Sequence, residues 1–326
     1  MLLKTPSRLH MTLVDMSGEY CRADGGIGLT LSEPNFILES EPSEGISIDH
    51  NSKITDANLI REHSQKIKNA AERTINHFDL DYGFHFKIEE TYPAHSGLGS
   101  GTQVALATGK SICEHAGINI STEELALIVG RGITSGIGTF AFDKGGFIVD
   151  GGYDLDKKGN VVPGDCDPTL MPQLIGRYPF PEDWNIVIAI PDANCTVTGM
   201  TEIDIFNKYC PVPQREVEKL SHMILMNLIP FMLEENIECV GQSIDEIQKL
   251  GFKKIEIELQ DQKVKDLMDN LREEDCHGVG MSSFGPTIYT ITDKNPKKLI
   301  KTTQDLMDGE GTVFSTKAQN SGFEII

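Results

Sequence analysis

Short runs of apolar residues punctuated by Gly, Pro and Asp open the chain, in "RLHMTLVDM" (8–16), "GIGLTL" (26–31) and "NFILES" (35–40), and such β-rich runs read as strands and turns. A polar, helix-like segment follows from Asp56 to His77. In "YGFHFKIEE" (82–90) strict alternation sets Phe84, Phe86 and Ile88 on one face, a strand signal, whereas "VALATGKSICEHAG" (104–117) has helical spacing. Ser121 and Glu124 in "STEELALIVGRG" form a capping-box pair, with Gly130 and Gly132 as the stop. "GGFIVDGG" (145–152) reads as a buried strand.

From about Asp156 to Pro181 a cluster of Pro, Asp and Gly reads as connection, and divides the chain into an N-terminal domain, 1–170, and a C-terminal domain, 171–326. The second part predicts a strand at "WNIVIAIP" (184–191), a largely apolar helix from Pro213 to Glu235, and a helix at "SIDEIQKLG" (243–251), where Ser243 and Glu246 repeat the capping spacing. "KKIEIELQDQKVKDLMDNLREE" (253–274) is ambiguous at its start and helical later. "PTIYTIT" (286–292), a helix begun by Asn295 and Pro296, and "GTVFSTKA" (311–318) complete an α+β pattern.

At 326 residues the chain is long enough for two domains or one large one. Lys and Arg number 29 against 49 Asp and Glu, a formal charge of −20, which argues against nucleic acid or anionic membrane as a partner. Any phosphate must therefore be bound locally. The seven cysteines (21, 113, 166, 195, 210, 239 and 276) form no CxxC pair, so reduced, mostly buried thiols are expected. Lys4, Pro6, Arg8 and His10 interrupt the N-terminus, and "MILMNLIPFML" (223–233) falls short of the ~20 residues of a membrane span, so a cytoplasmic protein is expected.

Four segments could carry chemistry. "PAHSGLGSGTQ" (93–103) places glycines and hydroxyls before a helix, whose first N–H groups and partial positive charge suit an anion, although its glycines could equally serve a plain strand-to-helix turn. No Lys follows the last glycine, so it is not a Walker A loop. "GVGMSSFGPT" (278–287) is a second small-residue loop, in which Ser282 and Ser283 could donate to phosphate and Gly285 permits a tight path, or which is simply a core turn. In "YCRADGGIG" (20–28), Arg22 suits phosphate and Asp24 suits Mg²⁺, unless the segment is an Asp-Gly hairpin turn. "GRGITSGIGTFAFDKGGF" (130–147) supplies Arg131, Ser135 and Lys144, with Ser135 able to begin a short helix and Phe140 and Phe142 reading as core. His10 and His95 are candidate acid/base groups or ordinary structural histidines.

Together these loops resemble the GHMP superfamily, named for galactokinase, homoserine kinase, mevalonate kinase and phosphomevalonate kinase. Its central motif, Pro, three variable residues, Gly-Leu-Gly-Ser-Ser and a small residue, is represented here by Pro93 and Gly97-Leu98-Gly99-Ser100, followed by Gly101 and Thr102. The resemblance implies a ribosomal S5-like N-terminal domain joined to a ferredoxin-like C-terminal domain. Where the kinases carry a catalytic Asp this chain has "SGIGTFAF", and it has Met281-Ser282-Ser283-Phe284-Gly285-Pro286 in place of a glycine-rich third motif. At those points, and in "RADGGIGL", "GLGSGTQ" and "NSGFEI", the chain is similar to the archaeal beta-ribofuranosylaminobenzene 5'-phosphate synthases of tetrahydromethanopterin biosynthesis. That resemblance implies condensation of phosphoribosyl diphosphate with 4-aminobenzoate or 4-hydroxybenzoate, releasing CO₂ and diphosphate, with Mg²⁺, without ATP, in a homodimer. For that chemistry the positions themselves suggest phosphate contacts from Gly97, Leu98, Gly99, Ser100, Gly101, Thr102, Arg22, Arg131, Ser135, Ser282, Ser283 and Gly285, Mg²⁺ on Asp24, and His10 or Lys144 at the benzoate carboxylate. An ATP-dependent GHMP kinase and a non-catalytic phosphate- or nucleotide-binding regulator are the competing expectations.

Overall fold

The computed structural model describes residues 1–132, 134–158, 170–193 and 202–326. Its elements run β1 (Leu2–Asp15), β2 (Arg22–Ser43), β3 (Ser47–His50), α1 (Ala57–His77), β4 (Gly83–Glu90), α2 (Ser100–His115), α3 (Thr122–Ile128), α4 (Ile137–Lys144), β5 (Phe147–Asp150), β6 (Tyr153–Asp154), α5 (Leu155–Lys158) and β7 (Leu174–Tyr178). The second part adds β8 (Asn185–Ile190), α6 (Glu202–Tyr209), α7 (Gln214–Met223), α8 (Ile229–Leu233), α9 (Ile237–Ile247), α10 (Gly251–Glu258), α11 (Gln262–Arg272), β9 (His277–Met281), β10 (Ile288–Thr292), α12 (Lys297–Leu306), β11 (Thr312–Thr316) and β12 (Glu324–Ile325).

The first sheet runs β12-β1-β2-β4-β3, with β5 and β6 also on β2, and β7 on β5. "GIGLTL" and "NFILES" belong to one strand, β2, whose first half pairs with β5 and whose second half pairs with β4. Asp24 and Gly25 lie within this ladder, Asp24 opposite Asp15, so the Asp-Gly pair is not at a hairpin tip. At Gly28 a Cβ would come within 2.2 Å of Ile137 Cγ2, so that glycine admits the α4 side chain against the sheet.

The second sheet runs β11-β8-β10-β9, all antiparallel, with α12 joining β10 to β11. This is the interleaved order of a ferredoxin-like unit. Ile186 and Ile188 of β8 face the main core shared with α1, α2 and α9, while Val187 and Ala189 face α11 and α12. The period of two explains why "IVIAI" (186–190) is apolar throughout: both faces are covered. The expected division at 170 is followed by one further strand of the first sheet, β7, and the chain returns to that sheet at β12. Much of the connecting cluster, 159–169, lies outside the described residues.

The apolar segment 213–235 is helical as expected, but passes from α7 to α8 through a π segment (Ile224–Leu228) immediately before Pro230. A proline ring crowds the carbonyl four residues back, here that of Met226, and a wider turn relieves it. The Ser243–Glu246 capping pair is not formed. Helix α9 starts earlier, Asn236 capping it through Cys239 N–H (3.1 Å), and Ser243 sits mid-helix donating to Cys239 O (2.8 Å). Of the described cysteines only Cys113 is buried, and Cys21 is exposed; Cys166 and Cys195 lie outside the described residues. Among the described residues no helix is long and apolar enough to cross a membrane.

Candidate functional site

Helix α2 begins without a side-chain cap: its N-cap, Gly99, is left-handed (φ 81°), a conformation that favours glycine and turns the chain sharply into the helix. Thr102 N–H returns to Gly99 O (3.2 Å), and the two amides ahead of it, on Ser100 and Gly101, are left without a side-chain cap. Ahead of it, a Cβ on Gly97 would fall 2.5 Å from Ser282 O, so this glycine is where the two small-residue loops touch. Ser282 Oγ donates to Gly97 O (2.7 Å) and accepts from His10 N–H (2.9 Å), while Ser283 N–H donates to His10 O (2.8 Å). Arg8 donates to Gly97 O (2.5 Å) from beneath. Segments 185 residues apart are thus fastened to one strand, β1.

Between them opens a cleft of about 730 Å³ lined by Arg8, Lys66, the 93–102 loop, Arg131, Gln260 and Ser283 to Pro286. Lys66 projects from α1, which packs along α2. A methyl at Gly101 would sit 3.4 Å from Lys66 Nζ and 3.6 Å from Arg131 Nη2, so two cations overhang the open first turn. Glu62 pairs with both Lys66 (2.5 Å) and His95 (2.9 Å) at the rim. Burial pushes the Glu62 carboxyl up, but the Lys66 hydrogen bond and charge, with His95, hold it below the usual range. Burial, then the neighbouring Arg73, lowers the pKa of Arg131, a strain on its charge that a bound anion would relieve. In a chain of formal charge −20, Arg8, Lys66 and Arg131 gather local positive charge of the sign that suits an anion.

Of the residues singled out in the sequence, the structure gathers Gly97, Gly99, Ser100, Gly101, Thr102, Arg131, Ser283, Gly285 and His95 at this cleft. Leu98 points its side chain into the core. Ser282 is fully buried and acts as the bridge between loops. His10 is buried outside the cleft lining; burial, then Arg8 and Lys253, hold its pKa well below the ordinary value, which favours the neutral imidazole. Ser135 precedes α4 but spends its hydroxyl on Asp150 (3.1 Å). Lys144 stands outside the cleft at the far end of α4, paired with Asp143 (2.6 Å). Phe140 and Phe142 are core, as read.

Arg22 and Asp24 form part of a separate cluster. Arg22 is exposed and donates to the carbonyls of Gly151 (2.7 Å) and Gly152 (3.1 Å). Asp24 is buried in an ion pair with Lys158. Burial raises both Asp24 and Asp150 to about 6, against the hydrogen bonds and the Lys158 charge that favour their anions.

Lys66, Glu62, Lys253 and Gln260 were not singled out in the sequence. Glu62 and Lys66 stand i,i+4 on a polar helix, a spacing that reads as a solvated surface pair. Lys253 lies in the stretch whose secondary structure was ambiguous.

Known proteins resemble this chain over nearly its whole length. The family description "GHMP kinases N terminal domain" matches residues 65–146, which contain α2 and its loop. A beta-ribofuranosylphenol 5'-phosphate synthase of Methanothermobacter thermautotrophicus is 45% identical over 322 residues, covering 99% of this chain and 97% of that protein. The protein of the same name from Methanocaldococcus jannaschii is 41% identical, with 100% of both chains covered. Among solved structures, homoserine kinase from Cytophaga hutchinsonii superposes with a TM-score of 0.67 at 14% identity, covering 100% of this chain and 97% of the other. Mevalonate kinase from Methanococcus jannaschii gives 0.66 at 14% identity, covering 98% of each. These two show the fold.

Proposed function

The chain belongs to the family of the beta-ribofuranosylphenol 5'-phosphate synthases, and from that premise we propose that it joins phosphoribosyl diphosphate to a 4-substituted benzoate, in the biosynthesis of tetrahydromethanopterin. The relatives' name favours 4-hydroxybenzoate as acceptor, with 4-aminobenzoate the alternative. The observation that carries the reading is the uncapped first turn of α2 beneath Lys66 and Arg131, closed by the Ser283 to Pro286 loop.

In the reaction the C1–O bond of the ribose breaks and diphosphate leaves with the electron pair. The ring carbon bearing the carboxylate bonds to C1, and loss of CO₂ returns the electrons that restore aromaticity. Charge grows on the departing diphosphate, and the α2 amides, Lys66 and Arg131 would receive it. Net proton transfer is zero, so a neutral His10 is consistent with this chemistry.

In phosphate sites Mg²⁺ is held through one or two carboxylates together with the substrate's own phosphates. Asp24, the residue expected to hold it, is buried in an ion pair with Lys158, so the donor's diphosphate would supply most of its ligands. Arg22 and Asp24 lie off the cleft wall, and turnover of Arg22→Ala and Asp24→Ala in folded protein decides their part: near-normal values remove both from the site.

The deciding experiment supplies phosphoribosyl diphosphate as its magnesium salt with each carboxyl-labelled benzoate, and measures released CO₂ with and without ATP. Release with one acid, independent of ATP, is expected. No release with either acid refutes the synthase reading, and ATP-dependent phosphorylation of an alcohol in its place would make the protein a kinase.

A further inference from the structure

Lys253 enters α10 with its side chain wholly buried. Its ammonium donates to Ser283 O (3.0 Å) and Met281 O (3.2 Å), and pairs with the equally buried Glu256. An ammonium has three donors, and these partners use all of them. The two carbonyls flank Ser282, the residue that fastens the loop to Gly97 and to β1. Just beyond the end of α10, Gln260 donates to the next carbonyl, Phe284 O (2.9 Å). Loop carbonyls are thus drawn toward α10 and occupied by donors. An oxygen lone pair facing a phosphate would repel it, so this arrangement favours an anion across the loop.

Burying such a pair is costly, and apolar residues of similar volume often replace one with no loss of stability. A fold needing only to fill this space would be served as well by carbon. What carbon cannot do is hold the carbonyls on either side of Ser282, where Ser283 (φ 52°) and Gly285 (φ 73°) keep the backbone in the left-handed region.

We propose that the Lys253–Glu256 pair is a positioning device for phosphoribosyl diphosphate, fixing the 282–285 backbone so that it closes over the donor's phosphates without touching substrate itself. This rests on the reading of the cleft as the phosphate site.

The test is the double variant Lys253→Met/Glu256→Leu, assayed for thermal unfolding, KM for each substrate and inhibition by inorganic diphosphate. A melting temperature close to the parent's is expected, with KM for phosphoribosyl diphosphate and the diphosphate inhibition constant raised about tenfold, the scale of losing one well-placed contact, and KM for the benzoate unchanged. A folded double variant with both donor constants within twofold of the parent's overturns the proposal. If the double variant does not fold, Gln260→Ala, which frees Phe284 O in the loop and Glu256 O in α10, takes its place with the same split expected at smaller size, and an unchanged KM for the donor again overturns it. Arg131→Ala separates the two ideas. If it weakens donor binding while the double variant does not, positioning fails and the phosphate cleft stands; if it too leaves donor binding unchanged, the cleft reading falls and the positioning role with it.

Discussion

Gly101→Ala should make the protein more stable and a poorer enzyme. Gly101 is the second residue of α2, and a methyl there meets nothing closer than Lys66 Nζ at 3.4 Å and Arg131 Nη2 at 3.6 Å, both ends of flexible side chains. Alanine therefore fits the apo fold, and helix propensity favours it over glycine by up to about 1 kcal/mol. That corresponds to a rise of about 1–3 °C in melting temperature for a chain of this size. The same methyl, however, occupies the space between the two cations and the helix amides. An anion held there would lose a charge-assisted hydrogen bond, worth about 1.5–3 kcal/mol, or roughly a tenfold to hundredfold rise in KM for phosphoribosyl diphosphate. Calorimetry paired with release of labelled CO₂ at varied donor concentration reads both effects. A stabilised variant with an unchanged donor KM would show that no phosphate lies over the first turn of α2, and a marked drop in melting temperature would mean that the space at Gly101 is not as described.

Two further outcomes follow from the same geometry. Lys66→Ala should raise donor KM about tenfold, while costing under about 1 kcal/mol of stability, since its partner Glu62 is a partly exposed carboxylate whose pair contributes little; steady-state kinetics with thermal unfolding checks both. Asp150 gives a pH signature. Its folded pKa of about 6 lies above the ordinary ~3.9 of an unfolded Asp, so the native state binds the proton more tightly, and the stability it contributes is present below about pH 4 and lost as pH rises through 6. Asp150→Asn should remove that loss, its stability relative to the parent improving between pH 4 and 7, and a difference in melting temperature that stays flat across this range would contradict it.

Much of the architecture was legible because its signals are local. The alternation of Phe84, Phe86 and Ile88, the Ser121–Glu124 box and the wholly apolar "IVIAI" (186–190) each state a local pattern that the fold then satisfies. Local signals failed where a longer-range contact competed. Ser243 has the spacing of a cap, but Asn236 caps first and the helix face carrying Ser243 is buried. Asp24-Gly25 has the chemistry of a hairpin turn, yet pairing with β1 and β6 draws the segment into a strand.

At the site the division is sharper. The sequence by itself determined the two small-residue loops, the cation at Arg131 and, through the order of its motifs, the family. Only the tertiary structure decided which charges reach the cleft. Lys66 gains its role because α1 packs along α2, and Lys253 because α10 packs behind the 282–285 loop; Lys144, as promising on paper, is carried to the wrong end of its helix. Glycines and helix starts are written into neighbouring residues, whereas electrostatic complementarity between segments far apart in the chain is a property of packing, and no local pattern encodes it.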